Sequence, residues 1–228
     1  MEFEKKLIDK LSFKITKSDF ERSKKGIFCN ILDIVLIYVF EDASIDHKER
    51  LIRLEEIKFL AKHEKIRSSH AYSLVLSSAV LKELGQNNLA IKNTLKSIKV
   101  FKTVDDEYFA NSGLIFCYTV LGKSYNQIGL QKIGLDQFEK ALDILAVINE
   151  HGLQSFRINE GIAECYSELG DHKKTFFYLK KCLKIIEKHI NQPENKITTK
   201  IPILLRIAIE NRKLCNYKKC IKYLKQAE

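Results

Sequence analysis

The chain has 228 residues, 45% of them hydrophobic, which is enough to bury a sizeable core in one elongated domain or in two smaller ones. Two prolines and nine glycines are few, and this favours a mostly helical chain. The net charge of +10 lies within residues 171–228, but lysine dominates there, which argues against nucleic-acid recognition because that usually favours arginine.

The first 67 residues predict divergent helices that cap the rest of the fold. Residues 27–40 form an apolar run that begins too late for a signal peptide and is too short to span a membrane, so we expect a buried helix. Residues 46–64 carry apolar side chains at helical spacing. Together, residues 27–64 are predicted to form a first helical hairpin.

The clearest pattern in the chain covers residues 118–142. Residues spaced three or four apart between Tyr118 and Tyr125 share one helical face. Gly129 then interrupts the helix, and a matching face on a second helix includes Gly134 and Phe138. Small residues let two helix backbones approach, and large aromatic residues fill the space between them. The spacing resembles that of the tetratricopeptide repeat, whose unit is an antiparallel helix pair that cannot bury its apolar face alone.

The pattern recurs in weaker copies at residues 74–98, 159–183 and 204–227, with glycine at three of the four turns. The copies are 44, 41 and 45 residues apart, whereas the family's usual period is about 34. We expect the extra residues in longer helices or in loops, within 104–111, 149–154 and 189–199. The resemblance implies an all-α fold, an α-solenoid of antiparallel helical hairpins (a TPR-like superhelix), with about four hairpins in residues 68–228.

Long-period repeats of this kind resemble those of bacterial signalling proteins. These include peptide-sensing transcription factors, response-regulator phosphatases and the sensor segments placed before cyclic-dinucleotide synthases. The last predicted helix, residues 217–228, is followed by no polar capping helix and leaves Ile221 and Leu224 uncovered. We therefore expect either repeats that continue in a longer protein or a homodimer formed through the C-terminal helices.

No arrangement typical of catalysis, metal binding or cofactor binding occurs in the sequence. The six histidines are scattered without metal-ligand spacing, the six cysteines include no pair separated by two residues, and no glycine-rich phosphate loop is present. Cysteines at core positions of the repeats, Cys182 and Cys220, indicate free thiols and a reducing compartment. The sequence therefore predicts a cytoplasmic protein that is not an enzyme and has no cofactor.

The resemblance to the tetratricopeptide family also implies that the first helix of each hairpin lines a concave binding surface. The candidate ligand-binding residues lie on the side of these helices that does not pack. They are Phe116, Thr119, Lys123 and Asn126 in the second hairpin, Arg157, Glu160, Glu164 and Ser167 in the third, and Leu205, Ile209 and Arg212 in the fourth. The Asn126 amide suits a peptide backbone, and Lys123 and Arg157 suit a carboxylate. The alternative is that all of them are solvated surface.

These observations predict a non-catalytic module that binds a protein or a peptide and serves as the sensing or docking region of a larger bacterial regulatory protein. One alternative is the N-terminal regulatory region of a signalling enzyme, of the diguanylate cyclase or response-regulator phosphatase type. Another is a homodimerisation scaffold. Neither nucleic acid nor a membrane is an expected partner.

Overall fold

The computed structural model describes residues 11, 36, 39, 40, 42, 44–148 and 152–227, and these residues form helices and short connections without a strand. Nine complete helices occur in the described ranges. They are α1 (His47–His63), α2 (Arg67–Glu83), α3 (Asn87–Phe101), α4 (Glu107–Gln127), α5 (Gln131–Val147), α6 (Leu153–Glu168), α7 (His172–His189), α8 (Pro193–Lys213) and α9 (Tyr217–Lys225). Of the predicted first hairpin, residues 27–35 lie outside the described part, and the predicted helix at 46–64 is α1.

The chain divides into two compact units, residues 1–124 and 125–228, and the division falls inside α4. The four predicted repeats correspond along the sequence to the helix pairs α2–α3, α4–α5, α6–α7 and α8–α9. The boundary predicted between residues 67 and 68 falls after the first residue of α2 and is not the division between the two units. The capping role of residues 1–67 stays a prediction.

In the first unit, α1 packs on α2 and α2 packs on α3, and α1 and α2 contribute to an apolar core. Leu54 of α1 and Leu76 of α2 are buried in it. Phe116 of α4 also packs against this core, and its ring meets the edge of the Phe40 ring at a centroid distance of 6.4 Å. Phe116 was predicted to face a ligand, whereas its half-buried ring packs against the core of the first unit.

In the second unit, each helix from α5 to α9 packs on its neighbour in sequence. Helices α5 and α6 approach closely at Gly161, where an added Cβ atom would be 2.3 Å from the ring of Phe138. The first unit repeats this arrangement, because a Cβ atom at Gly113 would be 2.3 Å from the ring of Phe101. Large aromatic rings therefore occupy the space left by glycines on the next helix. These contacts join one repeat to the next, whereas the predicted alternation of small and large residues concerned the two helices of one hairpin.

The same tight turn follows five of the helices. The residue with positive φ at these turns is Gly85, Gly129, Gly170, Lys65 or Cys215. At the turn that contains Gly170, the Gly170 N–H donates to the Ser167 carbonyl at 3.1 Å and the Asp171 N–H donates to the Tyr166 carbonyl at 2.9 Å. This pair of hydrogen bonds satisfies carbonyls at the helix end and requires a residue in the left-handed conformation.

The extra residues of the long period lie mainly in the first helices of the repeats. Helices α4 and α8 have 21 residues each, and the predicted insertions at 104–111 and 189–199 supply their first turns. The third predicted insertion includes residues 149–151, which lie outside the described part. No helix in the described ranges has the length and apolar content needed to cross a membrane.

Candidate functional site

A groove of about 400 Å³ lies within the second unit, between the first helices of successive repeats. It is called the first-helix groove below. The end of α4 contributes Asn126, and most of the other polar side chains come from α6 and α8. The polar lining includes Asn126, Glu164, Ser167, Arg206, Glu210 and Lys213.

Helical periodicity places these side chains on common faces. Glu164 and Ser167 are three residues apart on α6, and Arg206, Glu210 and Lys213 follow one another at spacings of four and three on α8. Residues three or four apart in an α-helix lie on one face. Because α6 and α8 turn these faces toward the same groove, residues about 40 positions apart in sequence come into contact.

Glu210 is the centre of the polar contacts in the groove, although its side chain is only 4% exposed. Its Oε1 accepts hydrogen bonds from Ser167 Oγ at 2.5 Å and from Lys213 Nζ at 2.8 Å. Its Oε2 lies 2.7 Å from His172 Nδ1 at the start of α7. An ionised carboxylate only accepts, so the imidazole donates from Nδ1. One carboxylate therefore connects α6, α7 and α8.

Burial by itself would raise the pKa of Glu210, because the charged form loses its hydration. Hydrogen bonds from Lys213, Ser167 and His172 outweigh that effect and hold the pKa of Glu210 below its ordinary value. The carboxylate is therefore charged at neutral pH. Its contacts are charge-assisted and stronger than those between neutral groups.

Arg206 forms a second polar link between α6 and α8. Its guanidinium pairs with the carboxylate of Glu164 and lies 3.8 Å from a carboxylate oxygen of Glu160. The Arg206 side chain is 36% exposed, whereas that of Glu160 is 16% exposed and that of Glu164 is 28% exposed. The groove wall is therefore polar and charged on both sides, with acidic groups on α6 facing cations on α8.

Two lining residues of the groove are suited to contact a ligand. The Oδ1 atom of Asn126 is buried and has no hydrogen-bond partner among the described residues. A buried acceptor without a donor costs free energy, and a ligand N–H would recover it once the amide turns toward the groove. Ile209, which lines the same groove, is 45% exposed and offers an apolar contact beside the polar groups.

The structure brings together several of the predicted binding residues. Asn126, Glu164, Ser167 and Ile209 line the first-helix groove, and Glu160 joins it through Arg206. Arg157, Arg212 and Leu205 are exposed but do not belong to its lining.

Two other predicted binding residues, Thr119 and Lys123, belong to the first unit. Thr119 is 6% exposed, and its hydroxyl donates to the Ile115 carbonyl at 2.8 Å. Its prediction as a ligand contact is wrong, because the hydroxyl is buried and satisfied within its own helix. Lys123 is half-buried. Its positive charge contributes, after the hydrogen bond from Lys82, to lowering the pKa of Glu83 at the end of α2.

Sequence reasoning missed the residues that define the groove electrostatically. Arg206, Glu210 and Lys213 were not selected, although their spacing along α8 places them on one face. His172 was not among the predicted binding residues. Its contact with Glu210 joins residues 38 positions apart. A carboxylate at a buried helical position was the available signal, because such a group requires partners.

The described residues contain no group of three or more histidines, cysteines, aspartates or glutamates placed to hold a metal ion. Cys117, Cys165, Cys182, Cys215 and Cys220 are free thiols. Burial raises the pKa of the Cys117 thiol to about 12, so this sulfur is not activated as a nucleophile. The arrangement in the groove is suited to binding.

Comparison with known proteins agrees with the predicted fold. A tetratricopeptide repeat model matches residues 156–189, which cover most of α6 and the whole of α7. A crystal structure of the apo form of RapI is similar over 91% of this chain, with a TM-score of 0.59 and 17% sequence identity. The chain spans 56% of the length of that RapI chain. No curated protein matches the sequence.

These findings confirm the resemblance to the tetratricopeptide family and the all-α helical-repeat fold. The matched segment contains Glu160, Glu164 and Ser167, so the repeat supplies the α6 side of the groove.

Proposed function

We propose that this tetratricopeptide-repeat protein is a non-catalytic module that binds a peptide segment of a partner in the first-helix groove. The observation that carries the proposal is the convergence of three successive first helices on one open groove. Asn126, Ser167 and Arg206 come from three different helices and line the same space.

An extended peptide fits the chemistry of this groove. Its backbone N–H groups are donors for the Asn126 Oδ1, and the exposed Ile209 supports one apolar side chain. The paired charges of Glu164 and Arg206 lie at the edge of the same space and are able to re-pair with charged side chains of the ligand. The peptide thus meets a polar wall with a small apolar contact.

The wider role that we propose is the sensing or docking region of a larger regulatory protein in the cytoplasm. The chain corresponds to only part of the RapI chain that it resembles, which supports a larger assembly of repeats. The free thiols support a reducing compartment.

The test selects peptides from a random twelve-residue library displayed on phage and measures their binding as labelled synthetic peptides. We expect Ile209→Asp to weaken the selected peptides about tenfold, because a carboxylate replaces an apolar contact. Val147→Asp is the matched control. Val147 is 75% exposed on α5 and lies outside the groove lining, so this variant should bind like the parent.

Two results would overturn the proposal. One is a selection that enriches no peptide above an empty surface. The other is an equal loss of binding in Ile209→Asp and Val147→Asp, which would place the peptide elsewhere. Circular dichroism of both variants shows whether each retains its helices.

The predicted homodimer through the C-terminal helices stays a prediction. Ile221 and Leu224 on α9 are 54% and 44% exposed. Sedimentation equilibrium of the parent and of Ile221→Asp tests it, because a dimer through α9 would dissociate in the variant.

A further inference from the structure

The second helices of the last two repeats carry a dense set of exposed lysines. The ten are Lys173, Lys174, Lys180, Lys181, Lys184, Lys188, Lys218, Lys219, Lys222 and Lys225. Among the described residues, the one acidic partner of this set is Asp171, which lies 3.6 Å from Lys174. On α8, by contrast, four of the five basic residues pair with a glutamate. The uncompensated charge of this unit is therefore concentrated on α7 and α9.

A second groove, of about 560 Å³, opens within this basic surface between α7, α8 and α9. It is called the lysine groove below. Leu183, Leu204 and Tyr223 provide its apolar lining. Lys184 and Lys188 stand at its edge, and both are exposed.

Glu187 lies among these lysines, but its carboxylate is paired with lysines of α8. The carboxylate of Glu187 accepts from Lys200 at 2.9 Å and from Lys196 at 3.2 Å, both on α8. These contacts hold α7 against α8. Lys184 and Lys188 keep no acidic partner among the described residues.

The combination restricts the partner. Lys184 and Lys188 are four residues apart on one helix face, which matches two carboxylates spaced by one turn on a facing helix. The half-buried Leu183 and Tyr223 offer the same partner an apolar contact beside these charges, whereas Leu204 is only 2% exposed. A phosphate backbone would leave that lining unused, and the arginine forks that favour phosphate are missing from α7 and α9.

We propose that the lysine groove docks an acidic amphipathic helix of a protein partner. The apolar face of that helix covers Leu183 and Tyr223, and its glutamates pair with Lys184 and Lys188. This surface is separate from the first-helix groove, because the two share no lining residue. A protein partner and a peptide ligand are thus able to occupy the chain together.

The test uses a labelled synthetic helix with leucines on one face and glutamates at every fourth position on the adjoining face. Its binding to the purified protein is followed by fluorescence anisotropy. We expect saturable binding that weakens at high salt, since exposed charge pairs are screened. A scrambled peptide of the same composition should bind about tenfold more weakly, because it has no apolar face.

Matched charge reversals locate the site. Lys184→Glu/Lys188→Glu should weaken the helix about tenfold or more, because two attractive pairs become repulsive. Lys218→Glu/Lys219→Glu makes the same change of charge on α9 outside the groove lining, and we expect less than about a threefold effect. Lys184→Arg/Lys188→Arg changes the same two side chains but keeps their positive charge, and it should retain binding. This result would show that the charge reversal acts through charge and not through a loss of structure. Ile209→Asp should have no effect.

The proposal fails if the two charge reversals weaken the helix equally, because the attraction would then come from the general charge of the surface. It also fails if the ordered and scrambled peptides bind alike. A 20-base-pair DNA duplex and vesicles of phosphatidylcholine with phosphatidylglycerol are measured in parallel. If the parent protein binds the duplex or the vesicles but not the helix, and Lys184→Glu/Lys188→Glu abolishes that binding, the partner is nucleic acid or lipid and the proposal is overturned.

Discussion

Glu210 shows at the scale of one residue how a buried charge is retained in this repeat. Three donors from α6, α7 and α8 surround its carboxylate and replace the water that burial removes. One of them, Lys213, is 42% exposed and can return to solvent, whereas the carboxylate cannot. Loss of the acceptor therefore affects three helices.

The first prediction concerns the contribution of this carboxylate to stability. Glu210→Ala should lower the free energy of unfolding by about 2 kcal/mol, because Ser167, His172 and Lys213 lose their shared acceptor. Denaturant unfolding followed by circular dichroism measures it. Glu187→Ala is the control, since Glu187 also pairs with two lysines but is exposed, and it should leave the stability nearly unchanged.

The pH dependence of stability gives a second prediction for the same residue. The folded pKa of Glu210 lies below its ordinary value of 4.5, so protons bind the unfolded state more tightly. Its contribution is complete above pH 4.5 and is lost as the pH falls through the folded pKa. The stability difference between the parent and Glu210→Gln should therefore shrink on acidification from about pH 7 to about pH 3. A difference that is constant over this range would contradict the assignment.

Cys215 is the other residue with a separable local effect. Its φ of 56° lies in the left-handed region, where three of the four equivalent turns have Gly85, Gly129 and Gly170 and the fourth has Lys65. A side chain is strained there, whereas glycine is not.

We therefore predict that Cys215→Gly raises the free energy of unfolding by about 0.5 to 1 kcal/mol, after allowing for the greater freedom of glycine in the unfolded chain. Cys215→Ser keeps the Cβ atom and should bring no gain. A gain in both variants would attribute the effect to removal of the thiol. Thermal unfolding in the presence of a reductant distinguishes these results.

At the scale of helices, the repeat depends on one aromatic ring placed over one glycine of the next helix. Phe138 on α5 is fully buried and covers Gly161 on α6, and Phe101 on α3 covers Gly113 on α4 in the same way. Protein interiors have little free volume to absorb an extra methyl group at such contacts. The spacing between the two helices is therefore set by the absence of a Cβ atom.

Gly161→Ala should lower the stability by about 1 to 3 kcal/mol, because the added methyl group overlaps the Phe138 ring. Gly161→Ala/Phe138→Leu should cost less than the sum of its two single changes, since a smaller side chain makes room for the methyl group. Strict additivity in this double-mutant cycle would contradict the contact. Urea unfolding of the four proteins provides the measurement.

At the scale of the whole molecule, charge is distributed by helix type in the last two repeats. The basic residues of α8 are mostly paired, whereas the lysines of α7 and α9 are exposed and mostly without acidic partners among the described residues. Like charges at this density repel one another, and the repulsion is screened by salt.

We expect the melting temperature to rise between about 0.02 M and about 0.5 M sodium chloride, because screening relieves this repulsion. Lys173→Glu/Lys222→Glu should show a smaller rise. Lys62→Glu/Lys92→Glu makes the same change of charge on α1 and α3 and should keep the full rise. Equal salt effects in the two variants would show that net charge alone is responsible.

The sequence by itself determined the helical repeats and most of their turns. Their signals are local: glycine at the end of a helix, and small and large residues at fixed spacing within about 25 positions of one another. Asn126, Glu164, Ser167 and Ile209, which the sequence selected as ligand contacts, line one groove, and their contact with a ligand stays a prediction. Helical periodicity was sufficient for these positions, because it decides which residues share a face.

Only the tertiary structure decided which polar side chains meet. The contacts of Glu210 with Ser167 and His172 join positions 43 and 38 residues apart, and their geometry depends on how α6, α7 and α8 pack. In the first unit, the surroundings of α4 place the Phe116 ring against the core and bury Thr119, although periodicity alone had assigned both to a ligand surface. Periodicity orients a side chain around its own helix axis, but the neighbouring helix determines whether that side chain meets water, core or a partner.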